Sequence, residues 1–134
     1  MAPSLLRAQA MPSHLVLVED DADYRALLSD FLSSLGHEVT EFPSAEEALR
    51  HIVGADAEAP SLVLTDLRMA KMSGLELARA LRRSHPTLPI ILMTAYGERR
   101  TAEQALALGA SAYVEKPFRL ATLRAEIERM LVSP

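Results

Sequence analysis

Five short apolar stretches punctuate the chain at regular intervals. His14–Val18, Ser61–Leu64, Ile90–Met93 and Ala112–Val114 are runs rich in Val, Ile and Leu, and Val39 and Phe42 frame a fifth stretch between the first two. Runs of this length with branched apolar residues predict strands buried on both faces. Between them the apolar positions change to helical spacing. Tyr24, Leu27, Leu28, Phe31, Leu32 and Leu35 form one such series. Ala48, Leu49 and Ile52 form a second, and Leu75, Ala78 and Leu81 a third. Ala102, Ala105 and Leu106 mark a fourth, and Leu120, Leu123, Ile127, Met130 and Leu131 a fifth. Strands alternating with helices predict an α/β domain with a parallel sheet.

Punctuation residues support these boundaries. Gly36 and Gly109 follow the first and fourth helical series, where a left-handed residue ends a helix. Pro86 disfavours helical geometry at His85 and stops the third helix. Ser44 and Glu47 have the spacing of a capping box, each side chain answering the other's free amide. Gly54–Pro60 reads as a loop. The first residues, 1–12, read as a flexible leader, 13–132 as the domain and 133–134 as a tail.

The polar residues that follow four of the runs carry the chemistry. Glu19-Asp20-Asp21 follows the first strand, Asp66 the third and Lys116-Pro117 the fifth, while Thr94 follows the fourth. In an open parallel sheet the carboxyl ends of the strands share one edge, and ligands bind there. Residues spread over a hundred positions therefore converge. Clustered carboxylates need a cation, and oxygen ligands without nitrogen or sulfur suit Mg²⁺ (or Mn²⁺) better than Zn²⁺. A lysine and a threonine beside them offer a charge and a hydroxyl to a phosphoryl group, and a carboxylate can attack phosphorus in line.

Composition narrows the classes. The chain has 134 residues, 49% of them hydrophobic, enough for one domain with a real core. It has no cysteine, which excludes disulfides and thiolate metal sites and fits a reducing, cytoplasmic setting. A net charge of -4 argues against nucleic-acid binding by the domain, and no apolar run is long enough for a membrane span. His14, His37, His51 and His85 show no metal spacing and read as surface or structural residues. Met69, Met72 and Met93 read as filling residues, and Arg82-Arg83 and Arg99-Arg100 as solvated helix faces. Asp23 suits a helix start whatever the function.

The segments Leu15-Val16-Leu17-Val18-Glu19-Asp20-Asp21, Asp66-Leu67-Arg68-Met69-Ala70-Lys71-Met72-Ser73-Gly74, Met93-Thr94-Ala95 and Tyr113-Val114-Glu115-Lys116-Pro117-Phe118 together resemble the response regulator receiver family of two-component signalling. The match keeps that family's order and spacing from about His14 to Val132. The resemblance implies a doubly wound, five-stranded sheet in the flavodoxin-like order 2-1-3-4-5. It implies that Asp66 is the phosphoacceptor, that Asp20 and Asp66 ligate Mg²⁺ with the Arg68 backbone carbonyl, and that Glu19 acts on the metal through water. Thr94, Ala95 and Lys116 would bind the phosphoryl group, Thr94 and Tyr113 would be the switch pair, and Lys116-Pro117 would be a cis peptide. Arg68 and Tyr96, each two residues past a site residue, would tune the rates.

It further implies a sensor histidine kinase or histidine phosphotransfer protein as phosphoryl donor, a phosphorylation-promoted homodimer, and a regulatory phosphoacceptor in place of a true enzyme. Glu19 stands where Asp is more usual, and Ala70 replaces a common Pro. Two other classes fit less well. A flavin-phosphate site wants a Gly/Ser/Thr-rich first loop, whereas Glu19-Asp20-Asp21-Ala22-Asp23 would repel phosphate. A metal-dependent phosphatase usually carries a second acid where Arg68 stands.

Overall fold

The computed structural model describes residues 13–54 and 58–131. The leader 1–12 and the tail 133–134 lie outside the described residues. The chain forms β1 (His14–Val18), α1 (Ala22–Ser34), β2 (Glu38–Phe42), α2 (Ala45–Ile52), β3 (Leu62–Asp66), α3 (Gly74–Ser84), β4 (Ile90–Thr94), α4 (Arg99–Leu108), β5 (Ala112–Glu115) and α5 (Leu120–Leu131). The five strands are all parallel, in the order β2-β1-β3-β4-β5. The chain winds outward in both directions from the β1/β3 pair, which makes their carboxyl ends the switch point where a crevice opens.

Alternation along each strand separates two apolar layers. Leu15 and Leu17 of β1 point into a cluster with Leu28 and Leu32 of α1 and Leu123 and Ile127 of α5. Val16 and Val18 point the other way, against Ala45, Ala48 and Ile52 of α2 and Leu77, Ala78 and Leu81 of α3. A smaller cluster of Leu67, Leu92, Ala105 and Ala110 seats α4, with Leu75 and Tyr113 against it. Both faces of the central strands are covered, so those strands read as continuous apolar runs.

Several boundaries differ from the sequence reading. β3 and β4 extend through Asp66 and Thr94, because the ladder still pairs Asp66 with Met93 and Thr94 with Glu115. Site residues therefore end strands and inherit the rigidity of the sheet. At α2, the Glu47 amide donates to Ser44 Oγ at 3.3 Å, but the Ser44 hydroxyl donates to the Glu47 carboxylate at 3.1 Å. That is half of the expected box. The reciprocal box stands instead at Ser73 and Glu76, which start α3. Leu27 and Leu106 have helical spacing yet lie 53% and 39% exposed, on the outer flanks of α1 and α4. Arg82 is not a solvated face residue. Its Nε and Nη2 donate to the Gly109 carbonyl at 3.1 and 2.5 Å and its Nη1 to the His85 carbonyl at 2.9 Å, tying the end of α3 to the α4–β5 turn. Gly36 has φ +96° and closes α1 as expected.

Candidate functional site

The site grows from the carboxyl ends of β1, β3 and β5. Glu19 follows β1 with only 1% of its surface exposed, held by its own amide, which donates to the Phe42 carbonyl at 3.1 Å. Asp21 caps α1: its carboxylate accepts from the Tyr24 amide at 3.0 Å, and its amide donates to Glu19 Oε2 at 2.9 Å. Arg25 reaches back and donates to the Glu19 carbonyl at 2.7 Å. The turn after β1 is thus pinned so that Glu19 faces inward while Asp20 lies exposed.

Asp66, 5% exposed, ends β3 beside Glu19. Lys116 crosses from β5 and donates to Asp66 Oδ1 at 2.6 Å and Glu19 Oε1 at 3.3 Å. Its ammonium also lies 4.6 Å from the centre of the Tyr24 ring. The Lys116-Pro117 peptide is cis. Gly74 closes the loop after β3 by donating its amide to the Leu67 carbonyl at 2.8 Å. A Cβ at this position would overlap the Asp66 carbonyl oxygen, so only glycine lets α3 start this close to the strand end.

One oxygen each from Glu19, Asp20 and Asp66 can lie within 4.8 Å of the others. Three carboxylates at that spacing, with no nitrogen or sulfur donor among them, fit a hard divalent cation such as Mg²⁺. The protonation pattern points the same way. Burial first, and then the hydrogen bond and charge of Glu19, push Asp66 up to about 8 despite the pull of Lys116. Burial also raises Glu19, but its bonds to Asp66, the Asp21 amide and Lys116 outweigh that and leave it below its ordinary value. Lys116 is lowered by burial and raised more by Asp66 and Glu19, so it stays a cation. Without a metal, the two buried carboxylates hold one proton between them.

The remaining predicted residues surround this centre. Thr94 is buried, and its hydroxyl donates to the Val114 carbonyl at 3.4 Å, toward β5. Tyr113 is half-buried against the α4 cluster, with its hydroxyl facing the Arg99 guanidinium. Ala95, Arg68, Asp20 and Lys116 line one small cleft of about 250 Å³ with Asp66. Tyr96, 84% exposed, lines an adjoining cleft with Lys116 and Phe118. The Arg68 guanidinium is paired with Glu98. Glu98 went unnoticed in the sequence. An acid just ahead of a helix signals an N-cap, but its side chain makes no cap bond and accepts instead from the Ala95 amide at 3.2 Å. His14 bonds Thr40 and His51 packs on Phe42, away from the carboxylates.

The response regulator receiver domain pattern matches residues 15–128. The chain belongs to the response regulator receiver family. It is 44% identical over 108 residues to the response regulator protein FleR of Pseudomonas aeruginosa, covering 81% of this chain and 22% of that one. It is 39% identical over 128 residues to the C4-dicarboxylate transport transcriptional regulatory protein DctD of Rhizobium meliloti, covering 92% and 27%. The receiver thus spans about a quarter of the length of these relatives. Among solved structures, the receiver domain of NtrX from Brucella abortus superposes with a TM-score of 0.81 at 33% identity, over 90% of this chain and 99% of that one. A receiver domain from Clostridium thermocellum gives 0.83 at 26% identity, over 89% and 94%. This receiver is therefore a phosphoacceptor module of two-component signalling, a family that takes phosphoryl groups from histidine kinases and binds Mg²⁺ through an acidic pocket. No helix of the described residues is long and apolar enough to cross a membrane.

Proposed function

We propose that Asp66 accepts a phosphoryl group from a sensor histidine kinase or a histidine phosphotransfer protein, with Mg²⁺ (or Mn²⁺), and that the change is read on the face of α4, β5 and α5. The observation that carries this reading is Asp66 itself: a buried carboxylate at a strand end, 2.6 Å from a lysine and flanked by two further acids. An Asp66 oxygen forms the new O–P bond as the donor's P–N bond breaks, and the imidazole leaves with the bonding pair and takes a proton. A bound Mg²⁺ supplies charge neutralisation for the phosphoryl oxygens and for the carboxylates. Asp20, Asp66 and the Arg68 carbonyl are its proposed direct ligands, with Glu19 acting through water.

Lys116 neutralises a second phosphoryl oxygen, and the Ala95 amide and Thr94 hydroxyl bind a third. For Thr94 this means leaving the Val114 carbonyl, and Tyr113 on the same sheet edge follows into the space it vacates. The modification adds about -1.5 to -2 charges, enough to bias a two-state element. Arg68 and Tyr96 are proposed to set the lifetime of the phosphoryl group. Chemistry of this kind turns over nothing beyond the receiver's own modification. The altered face is proposed to promote a homodimer and, as the name of DctD suggests for that relative, to serve transcriptional control in the cytoplasm, with no nucleic-acid contact by the receiver itself.

Incubation with acetyl phosphate and Mg²⁺, followed by mapping of the adduct, tests the assignment. One phosphoryl group on Asp66 is expected, and full labelling of Asp66→Asn would sink it.

A further inference from the structure

Glu98 holds a position that the phosphoryl group would need. Its Oε1 accepts from the Ala95 amide at 3.2 Å, and its Oε2 is gripped by Arg68. Its side chain is only 16% exposed although the residue sits in a loop. It lines the same cleft as Asp66, Asp20 and Lys116. A carboxylate oxygen on the Ala95 amide reproduces one of the contacts proposed for the bound phosphoryl group, and the Arg68 guanidinium holds the second oxygen in place. Like charges in one small cleft repel, so Glu98 and a phosphoryl group on Asp66 cannot both be stable there without displacement.

Glu98 is also the N-terminal boundary of α4. Its carbonyl accepts from the Ala102 amide at 3.0 Å and its amide donates to the Ala95 carbonyl at 3.1 Å. Movement of its side chain therefore reaches the first turn of α4 through the Ala102 bond and the loop after β4 through the Ala95 bond. Because its carboxylate turns back to Ala95, α4 starts without a side-chain cap. That helix start is free to accept the same carboxylate once it is expelled.

We infer that Glu98 is an internal placeholder: its carboxylate occupies the Ala95 amide in the unmodified receiver, and phosphorylation expels it and thereby repositions the start of α4. This deepens the proposed function and rests on Asp66 being the phosphoacceptor. It gives the Arg68–Glu98 pair, 30 residues apart in sequence, a regulatory role: the pair latches the resting state. Displacing Glu98 weakens binding of any phosphoryl group to the resting protein, and removing Glu98 removes that handicap.

Titration of the full chain with beryllofluoride and Mg²⁺, followed by backbone amide spectra, tests this. Glu98→Ala is expected to bind the mimic about tenfold more tightly than wild type, the factor that one charged contact carries. Glu98→Gln, which keeps a weaker neutral acceptor, should fall between the two. In the unliganded Glu98→Ala protein, the amides of Ala95 and of Arg99 to Ala102 should shift part of the way toward their positions in liganded wild type. A purely long-range charge effect would leave those amides in place. Wild type that takes up no beryllofluoride would overturn the reading of Asp66 and this inference together. Wild type that binds, with both variants binding no tighter or with the α4 amides unmoved, overturns the inference alone.

Discussion

Asp66→Asn should make the metal-free receiver more stable at neutral pH, although it removes the residue on which the proposed function depends. The perturbation replaces a buried carboxyl group, protonated at neutral pH, with an isostere that cannot ionise. In the folded protein Asp66 holds its proton up to about pH 8, against an ordinary value of 3.8. The unfolded chain releases that proton near its ordinary value. Folding therefore takes up a proton between about pH 4 and pH 8, and stability falls as pH rises through that window. A span of about four pKa units corresponds to about 6 kcal/mol if Asp66 acted alone, at 1.36 kcal/mol per unit.

Two contacts reduce that figure. Glu19 is held below its ordinary value, which carries the opposite sign: its contribution is present above that value and is lost as pH falls through its folded pKa. Above about pH 8, where Asp66 ionises, Asn also forgoes the 2.6 Å ion pair with Lys116. The gain that remains is positive and smaller than about 6 kcal/mol, and each kcal/mol of it raises the melting temperature by about 3 °C for a domain of this size. Thermal melts of both proteins in a chelator, from pH 4 to pH 9, measure it. The difference should be small near pH 4, widen toward pH 8 and then level off. Added Mg²⁺ should narrow it, because the ion stabilises wild type and the variant has lost a ligand. A variant no more stable than wild type at pH 7.5 without metal, or a difference that ignores pH, would refute the account of crowded carboxylates.

Two further predictions concern the loops around the site. Gly74→Ala should lower stability by about 3 kcal/mol or more, since the added methyl meets the Asp66 carbonyl and not a side chain that can swing aside; a denaturation midpoint within error of wild type would contradict the close approach. Tyr96→Ser and Arg68→Asn should each shorten the half-life of phosphorylated receiver in Mg²⁺, measured as phosphoryl loss from purified protein, because smaller polar side chains admit water along the line opposite Asp66; unchanged half-lives in both would remove these two residues from any role in signal lifetime.

Local sequence determined a great deal here. Each strand and helix follows from a run or a spacing of apolar residues, because burial imposes a period of two or 3.6 and leaves a readable trace. The glycines after α1 and α4 and the proline after α3 set helix ends by backbone sterics alone. The convergence of Glu19, Asp20, Asp66 and Lys116 was legible because a parallel sheet puts all its carboxyl ends on one edge. The strand order was readable only through family resemblance. What tertiary structure alone decided are contacts between residues that local period cannot relate. The Lys116 bonds to Asp66 and Glu19 span 50 and 97 residues, and the Arg68–Glu98 pair spans 30. Arg82 looked like a solvated face until the α4–β5 turn came up against it. Thr94 faces Val114, and Glu98 turns back to Ala95 instead of capping α4, because side-chain rotamers answer to the partners that packing brings within reach. An apolar pattern reports which positions are buried; which polar partner each one meets depends on the packed fold.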